Sequence, residues 1–227
     1  MPPEAAPVYA TVSAQLIHLA AAVLLLLSFA MLAQRRLLSL VNLFAGQGAA
    51  LVGSTLVVAY STGQHHLYFS AALTLLLKVL LLPYVLHRLV RRLSLQWDTE
   101  TLVNIPTIML IGLAVVIFAF GLAQPLAELA STVTRSTLGI AMAVVLLSFL
   151  MMITRRKAVS QVIGFLAMEN GLFFAATSAT YGMPMVVELG IALDVLVGVF
   201  IFGIFFFHIR EQFESFELRH LESLKED

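Results

Sequence analysis

Cysteine is absent from all 227 residues, which removes disulfides, thiolate zinc sites, Cys-ligated iron–sulfur clusters and a thiol nucleophile. Charge is scarce as well. Only 11% of the residues are Asp, Glu, Lys or Arg, against about 25% in a soluble domain that must cover its surface. What is there is apolar. Hydrophobic residues make up 60% of the chain and mean hydropathy is +0.98, so lipid rather than water must solvate it. The formal net charge is zero, which argues against a nucleic-acid surface. The opening MPPEAAPVYATVSAQ carries no positive n-region, so the first apolar run reads as a retained helix.

A helix crossing about 30 Å of hydrocarbon needs about 20 apolar residues. Seven segments meet that requirement, at 13–33, 37–60, 67–87, 103–124, 136–154, 159–181 and 186–209. Each must be helical, because an open strand cannot satisfy its backbone in lipid. Charges and breakers mark the joints: Gln34-Arg35-Arg36, the turn from Ser61 to His66, Arg88 to Glu100, Gln124-Pro125, Arg155-Arg156-Lys157 and Tyr181 to Pro184. The expected fold is all-α and integral to the membrane, with seven transmembrane helices. Counting alternate joints, 11 of the 13 Lys and Arg fall on one side; Arg135 falls on the other and Lys78 lies within a span. That bias predicts a multi-pass inner-membrane protein with its N-terminus external and its C-terminus cytoplasmic.

The first three and last three spans echo each other. LFAGQGAA (43–50) aligns with FLAMENGL (165–172), pairing Gln47 with Glu169. Ala72-Leu73-Thr74 aligns with Ala192-Leu193-Asp194, and Arg88 with His208, at an offset of 120 to 122 residues. An offset of four spans points both halves the same way, predicting a parallel 3+3 repeat joined by a central helix. The organisation expected is 1–102 for the first three-helix unit and its cytoplasmic loop, 103–135 for the connector helix and external loop, 136–210 for the second unit, and 211–227 for a charged cytoplasmic tail.

Three ionisable side chains lie deep in these spans: Lys78, Glu169 and Asp194. At about 1.5 Å per residue they sit roughly 12–16 Å from the nearer helix start, close to the bilayer midplane. Buried charge in hydrocarbon is expensive, and Asp, Glu, His and Lys retained there build proton relays. Glu169, Asp194 and Lys78 are therefore candidate relay residues, with His18 and Glu188 as further candidates. The bland alternative is that they fix helices by salt bridges or hydrogen bonds, which is also the simplest role for Asn170. His65-His66 alone make a weak metal site, and no metal or cofactor is expected. Gly46, Gly48, Gly53, Gly164, Gly171, Gly198 and Gly203 are small residues that let helices approach closely. Pro83, about one turn beyond Lys78, either shapes a polar cavity or bends the helix.

IGFLAMENG (163–171), preceded by a basic loop and followed by a span carrying ALDVLVG, resembles the K subunit of respiratory complex I and the C-type subunit of multisubunit sodium/proton antiporters, over about residues 136–210. Over its whole length the chain is similar to the E component of hydrogenase-4-type nickel–iron hydrogenases and formate hydrogenlyases. The resemblance implies a cofactor-free subunit with no catalytic centre of its own, held in lipid among antiporter-like and other membrane subunits of an oxidoreductase complex. Asp194 matches the second acid of the K pattern in position. The first acid departs: Leu166 stands where the pattern has it, and Glu169 follows one turn later. The implied function is a proton relay coupled to redox chemistry in a partner. A structural scaffold and a stand-alone small-solute transporter are the alternatives the residues leave open.

Overall fold

The computed structural model describes residues 8–92, 101–127 and 132–180, with Gly190, Leu196 and Gly198. The chain divides into a unit Met1–Ile191 and a unit Ala192–Asp227, and every helix below belongs to the first. In order these are α1 (Val8–Ala33), α2 (Leu37–Thr62), α3 (His65–Thr74), a π-helical turn (Leu75–Leu81), α4 (Leu82–Arg92), α5 (Ile105–Ala127), α6 (Thr132–Thr154) and α7 (Ala158–Thr180). Six runs are long and apolar enough to cross a membrane: Val12–Ala33, Leu37–Thr62, His65–Arg91, Ile105–Pro125, Thr137–Thr154 and Ala158–Ser178. They coincide with the first six segments expected from hydropathy. The seventh, 186–209, and the tail 211–227 lie outside the described residues, as do Glu188, Asp194 and His208.

Local chemistry sets the helix ends. Gly63 closes α2 in the left-handed region at φ 68°, which a side chain would resist. Pro106 sits in the first turn of α5, where its missing N–H costs nothing. The third span holds an irregularity in its middle. The Leu82 N–H reaches back five residues to the Leu77 carbonyl, and Pro83 follows at once. A proline donates no hydrogen bond and its ring crowds the carbonyl four residues back. The wider π turn ahead of Pro83 relieves that conflict without breaking the helix.

α1, α2, α6 and α7 form the centre. α1 packs along α2 and α6, α7 packs along α6 and α2, α3 and α4 flank α2, and α5 lies against α6 and α1. Between them sits a core that includes Ala21, Leu24, Leu51, Val144, Phe173 and Phe174. Close approach depends on particular glycines. A Cβ at Gly171 would lie 2.9 Å from a Val145 methyl, and one at Gly164 would lie 2.8 Å from Met152 Cγ. Gly53 departs from expectation, since nothing lies within 4 Å of its would-be Cβ. Its position is exposed, and it makes no close helix contact among the described residues.

Candidate functional site

The third span delivers Lys78 from its π turn into the bundle, where the side chain is completely buried. α7 delivers Glu169, also buried, and Lys78 Nζ lies 3.8 Å from Glu169 Oε1. One turn further along α7, the Phe173 ring centre lies 5.7 Å from the same ammonium, within cation–π range. The third wall is α2. Gly48 has no side chain, and a Cβ there would lie 3.3 Å from Lys78 Cβ. Three helices thus converge on one ammonium.

A second polar layer runs beside the pair. Asn170 Nδ2 donates to Gln47 Oε1 at 3.1 Å, Gln47 Nε2 donates to Ser28 Oγ at 3.0 Å, and Ser28 Oγ donates to the Leu24 carbonyl at 2.8 Å. All the side chains are buried, so α7, α2 and α1 are tied together where lipid offers no competing partner. Asn170 takes the helix-linking role expected of it. Amides do not titrate in the accessible range, and the chain stops on a backbone carbonyl, so this layer fixes position.

A third feature leads away from the pair. Ser70, Thr74 and Lys78 recur every four residues on one face of the third span, all at most 1% exposed. Ser70 Oγ and Thr74 Oγ1 make no hydrogen bond among the described residues. A buried hydroxyl that lacks a protein partner is ordinarily satisfied by an ordered water. Steps of about 6 Å along the helix separate the three groups.

Magnitudes decide how to regard the ion pair. At 3.8 Å and an effective dielectric of about 20, attraction is worth about 4 kcal/mol. Desolvation costs several kcal/mol for each of the two ions. The pair therefore adds little or nothing to stability, and leucines would fill the space as well.

Arg155, counted in the sequence as a topological surface charge, is 1% exposed. Its Nη2 donates to the carbonyls of Met31, Leu32 and Gln34 at 3.1, 3.0 and 2.6 Å. It therefore caps the bare C-terminal carbonyls of α1 from the α6–α7 joint. Burial lowers its pKa to about 10, which leaves it charged at neutral pH. No motif marks this role; the duplicated basic joints hide it.

Of the residues singled out in the sequence, the structure brings Lys78 and Glu169 together. His18 is half-buried on α1, ten residues before Ser28 and so about 15 Å along the helix from the amide layer. His65 is in ring contact with Tyr68 at 6.4 Å. Among the described residues no three His, Asp or Glu are grouped to hold a metal ion.

Apolar helices of membrane-crossing length around a buried ion pair define an all-helical, multi-pass membrane protein. The chain belongs to the same family as the uncharacterized protein Rv0085 of Mycobacterium tuberculosis. The two are 35% identical over 212 residues, covering 93% of this chain and 96% of that one. It is more distantly similar to hydrogenase-4 component E of Escherichia coli, at 23% identity over 182 residues, 80% of this chain and 84% of that protein. The component E of Shigella flexneri gives the same figures. No family model matches the chain, and no solved structure matches it.

Proposed function

We propose that this chain is a membrane subunit of a complex-I-like redox complex, most simply a nickel–iron hydrogenase of the hydrogenase-4 type, and that it passes protons through Lys78, Glu169 and Asp194. The single observation that carries the reading is the buried Lys78–Glu169 pair with Ser70 and Thr74 stacked beyond it. Glu169 accepts a proton, its hold on Lys78 weakens, and the ammonium gives up its own proton along the hydroxyl line. Distant similarity to hydrogenase-4 component E supplies the setting. Antiporter-like subunits are the neighbours such a setting would provide, with residues 136–210 as the K-like portion.

The same reading includes seven spans, an external N-terminus and a parallel 3+3 repeat. Local structure supports the repeat. Ser28 and Ser148, 120 positions apart, each donate to the carbonyl four residues back, Leu24 and Val144, at 2.8 Å. Thr55 and Thr177, 122 apart, do the same to Leu51 and Phe173, at 2.9 and 3.0 Å. The offsets are those of the sequence alignment. On this repeat Gln47 and Glu169 are counterparts, so one copy holds the amide and the other the acid.

A structural scaffold is the second reading, favoured by the amide layer that ends on the Leu24 carbonyl. The two separate in the purified complex. Under the relay, Glu169→Gln and Asp194→Asn leave partner subunits bound while redox-coupled proton uptake falls about 100-fold or more, the lower end for loss of a proton-transferring group. Under the scaffold, the same variants shed partners. Normal uptake in both variants ends the relay reading.

A further inference from the structure

We propose that the outer face of α4 and the apolar stripe leading to it bind one anionic phospholipid. The inner face of α4 is Leu82, Pro83, Val85, Leu86, Leu89 and Val90, all buried. Its outer face is Tyr84, His87, Arg88 and Arg91, which line a cavity of about 430 Å³. The span from His65 to Arg92 contains no acidic residue, so nothing along it neutralises these cations from within.

Two contacts prearrange the cavity. Arg88 Nη1 donates to the Tyr84 hydroxyl at 3.2 Å, which steadies the guanidinium beside the phenol. His87 Nδ1 lies 2.9 Å from the Pro83 carbonyl. A carbonyl only accepts, so Nδ1 carries the hydrogen; Nε2 is left to accept from a headgroup hydroxyl or, as imidazolium, to donate to the phosphate.

The surface above the cavity names the occupant. Phe69, Leu76, Leu80 and Tyr84 are 70%, 54%, 58% and 61% exposed, and they run along the span towards the arginines. Hydrocarbon, then a phenol, then three basic side chains is the profile of a phospholipid in reverse. Acyl chains would lie over Leu76 and Leu80, the glycerol level at Tyr84, and the phosphate among His87, Arg88 and Arg91. A free phosphate has no use for the apolar stripe, and an acidic peptide would leave it uncovered. This site depends on the chain lying in a membrane, and not on the proton relay.

The test is native mass spectrometry of the full-length chain released from nanodiscs of phosphatidylglycerol or of phosphatidylcholine, with helical content checked for every variant. Wild type is expected to retain phosphatidylglycerol in preference to phosphatidylcholine, and millimolar inorganic phosphate should not displace it. Arg91→Gln should weaken retention about five-fold, and Arg88→Gln with Arg91→Gln about 25-fold, the amount one basic group near a membrane surface contributes being about five-fold. Arg36→Gln with Arg156→Gln removes equal charge from other exposed positions and should leave retention intact. Equal retention of the zwitterionic lipid, an unaffected Arg91→Gln, or displacement by inorganic phosphate would overturn the proposal. Capture of an acidic partner segment by this face in place of lipid would overturn it equally.

Discussion

Lys78 reaches Glu169 from a π turn, with 3.8 Å between Nζ and Oε1 and a glycine at position 48 making room for the lysine stem. Removing one member leaves the other charged in a buried site. Lys78→Met is therefore expected to cost about 3–5 kcal/mol, read as a large drop in thermal stability in detergent. The double change Lys78→Met with Glu169→Leu should recover most of that loss. A Lys78→Met protein as stable as wild type would mean the two groups are not coupled.

The hydroxyl line offers a cleaner separation of stability from transport. Thr74 Oγ1 has no hydrogen-bond partner among the described residues, so Thr74→Val keeps the shape and gives up no bond to any of them. Melting should be nearly unchanged. Under the proposed relay, redox-coupled proton uptake by the assembled complex falls about ten-fold or more. Unaltered uptake would show that protons do not travel along this face of the third span.

Two glycines predict opposite outcomes from one substitution. Gly171→Ala drives a methyl to 2.9 Å from Val145 Cγ2 and 3.2 Å from the Val145 nitrogen. It should loosen α6 from α7 at a cost of about 1–3 kcal/mol. Gly53→Ala meets nothing within 4 Å and should stabilise α2 by about 0.5–1 kcal/mol. Chemical denaturation of the two variants in one detergent compares them directly.

Arg155 provides a test in pH. Burial disfavours the charge and lowers its folded pKa to about 10, well below that of a solvated arginine. Both states hold the proton below about pH 9, so this group contributes no pH dependence there. Above about 10 the unfolded chain binds more protons than the folded one, and this group's contribution to stability rises with pH until the unfolded arginine also loses its proton. Arg155→Met removes the guanidinium donor from the Met31, Leu32 and Gln34 carbonyls and should cost about 1.5–3 kcal/mol, measured as a shift in melting at pH 7.

The first six spans were legible because lipid imposes one rule on every residue: a run is either apolar enough to cross or it is not. Lys78 and Glu169 stood out as charges, and their depth alone suggested a meeting. Their pairing required knowing that α2 packs against both α7 and the π turn that carries Lys78, which hydropathy does not encode. Asn170 announced itself beside Glu169, whereas Ser28 did not, since a serine in a membrane helix commonly satisfies itself on its own backbone. Arg155 was misleading for a topological reason. Its neighbour Arg156 is an exposed basic residue of the usual kind, and composition cannot tell the two apart. Gly53 was expected to pack because glycines in spans often do, and only the fold shows which side faces another helix.

The widened turn at Leu75–Leu81 splits the third span into two independently phased halves. Above it, the rotation of Ser70 and Thr74 is set by what the bundle interior accepts. Below it, Leu82, Val85, Leu86, Leu89 and Val90 are buried against the bundle, which turns Tyr84, Arg88 and Arg91 outward. One residue gained or lost in that turn would swing the basic end by roughly 100° about the axis while the upper half kept its bearing. Within this family, insertions and deletions at this spot should therefore track what the outer end of α4 touches.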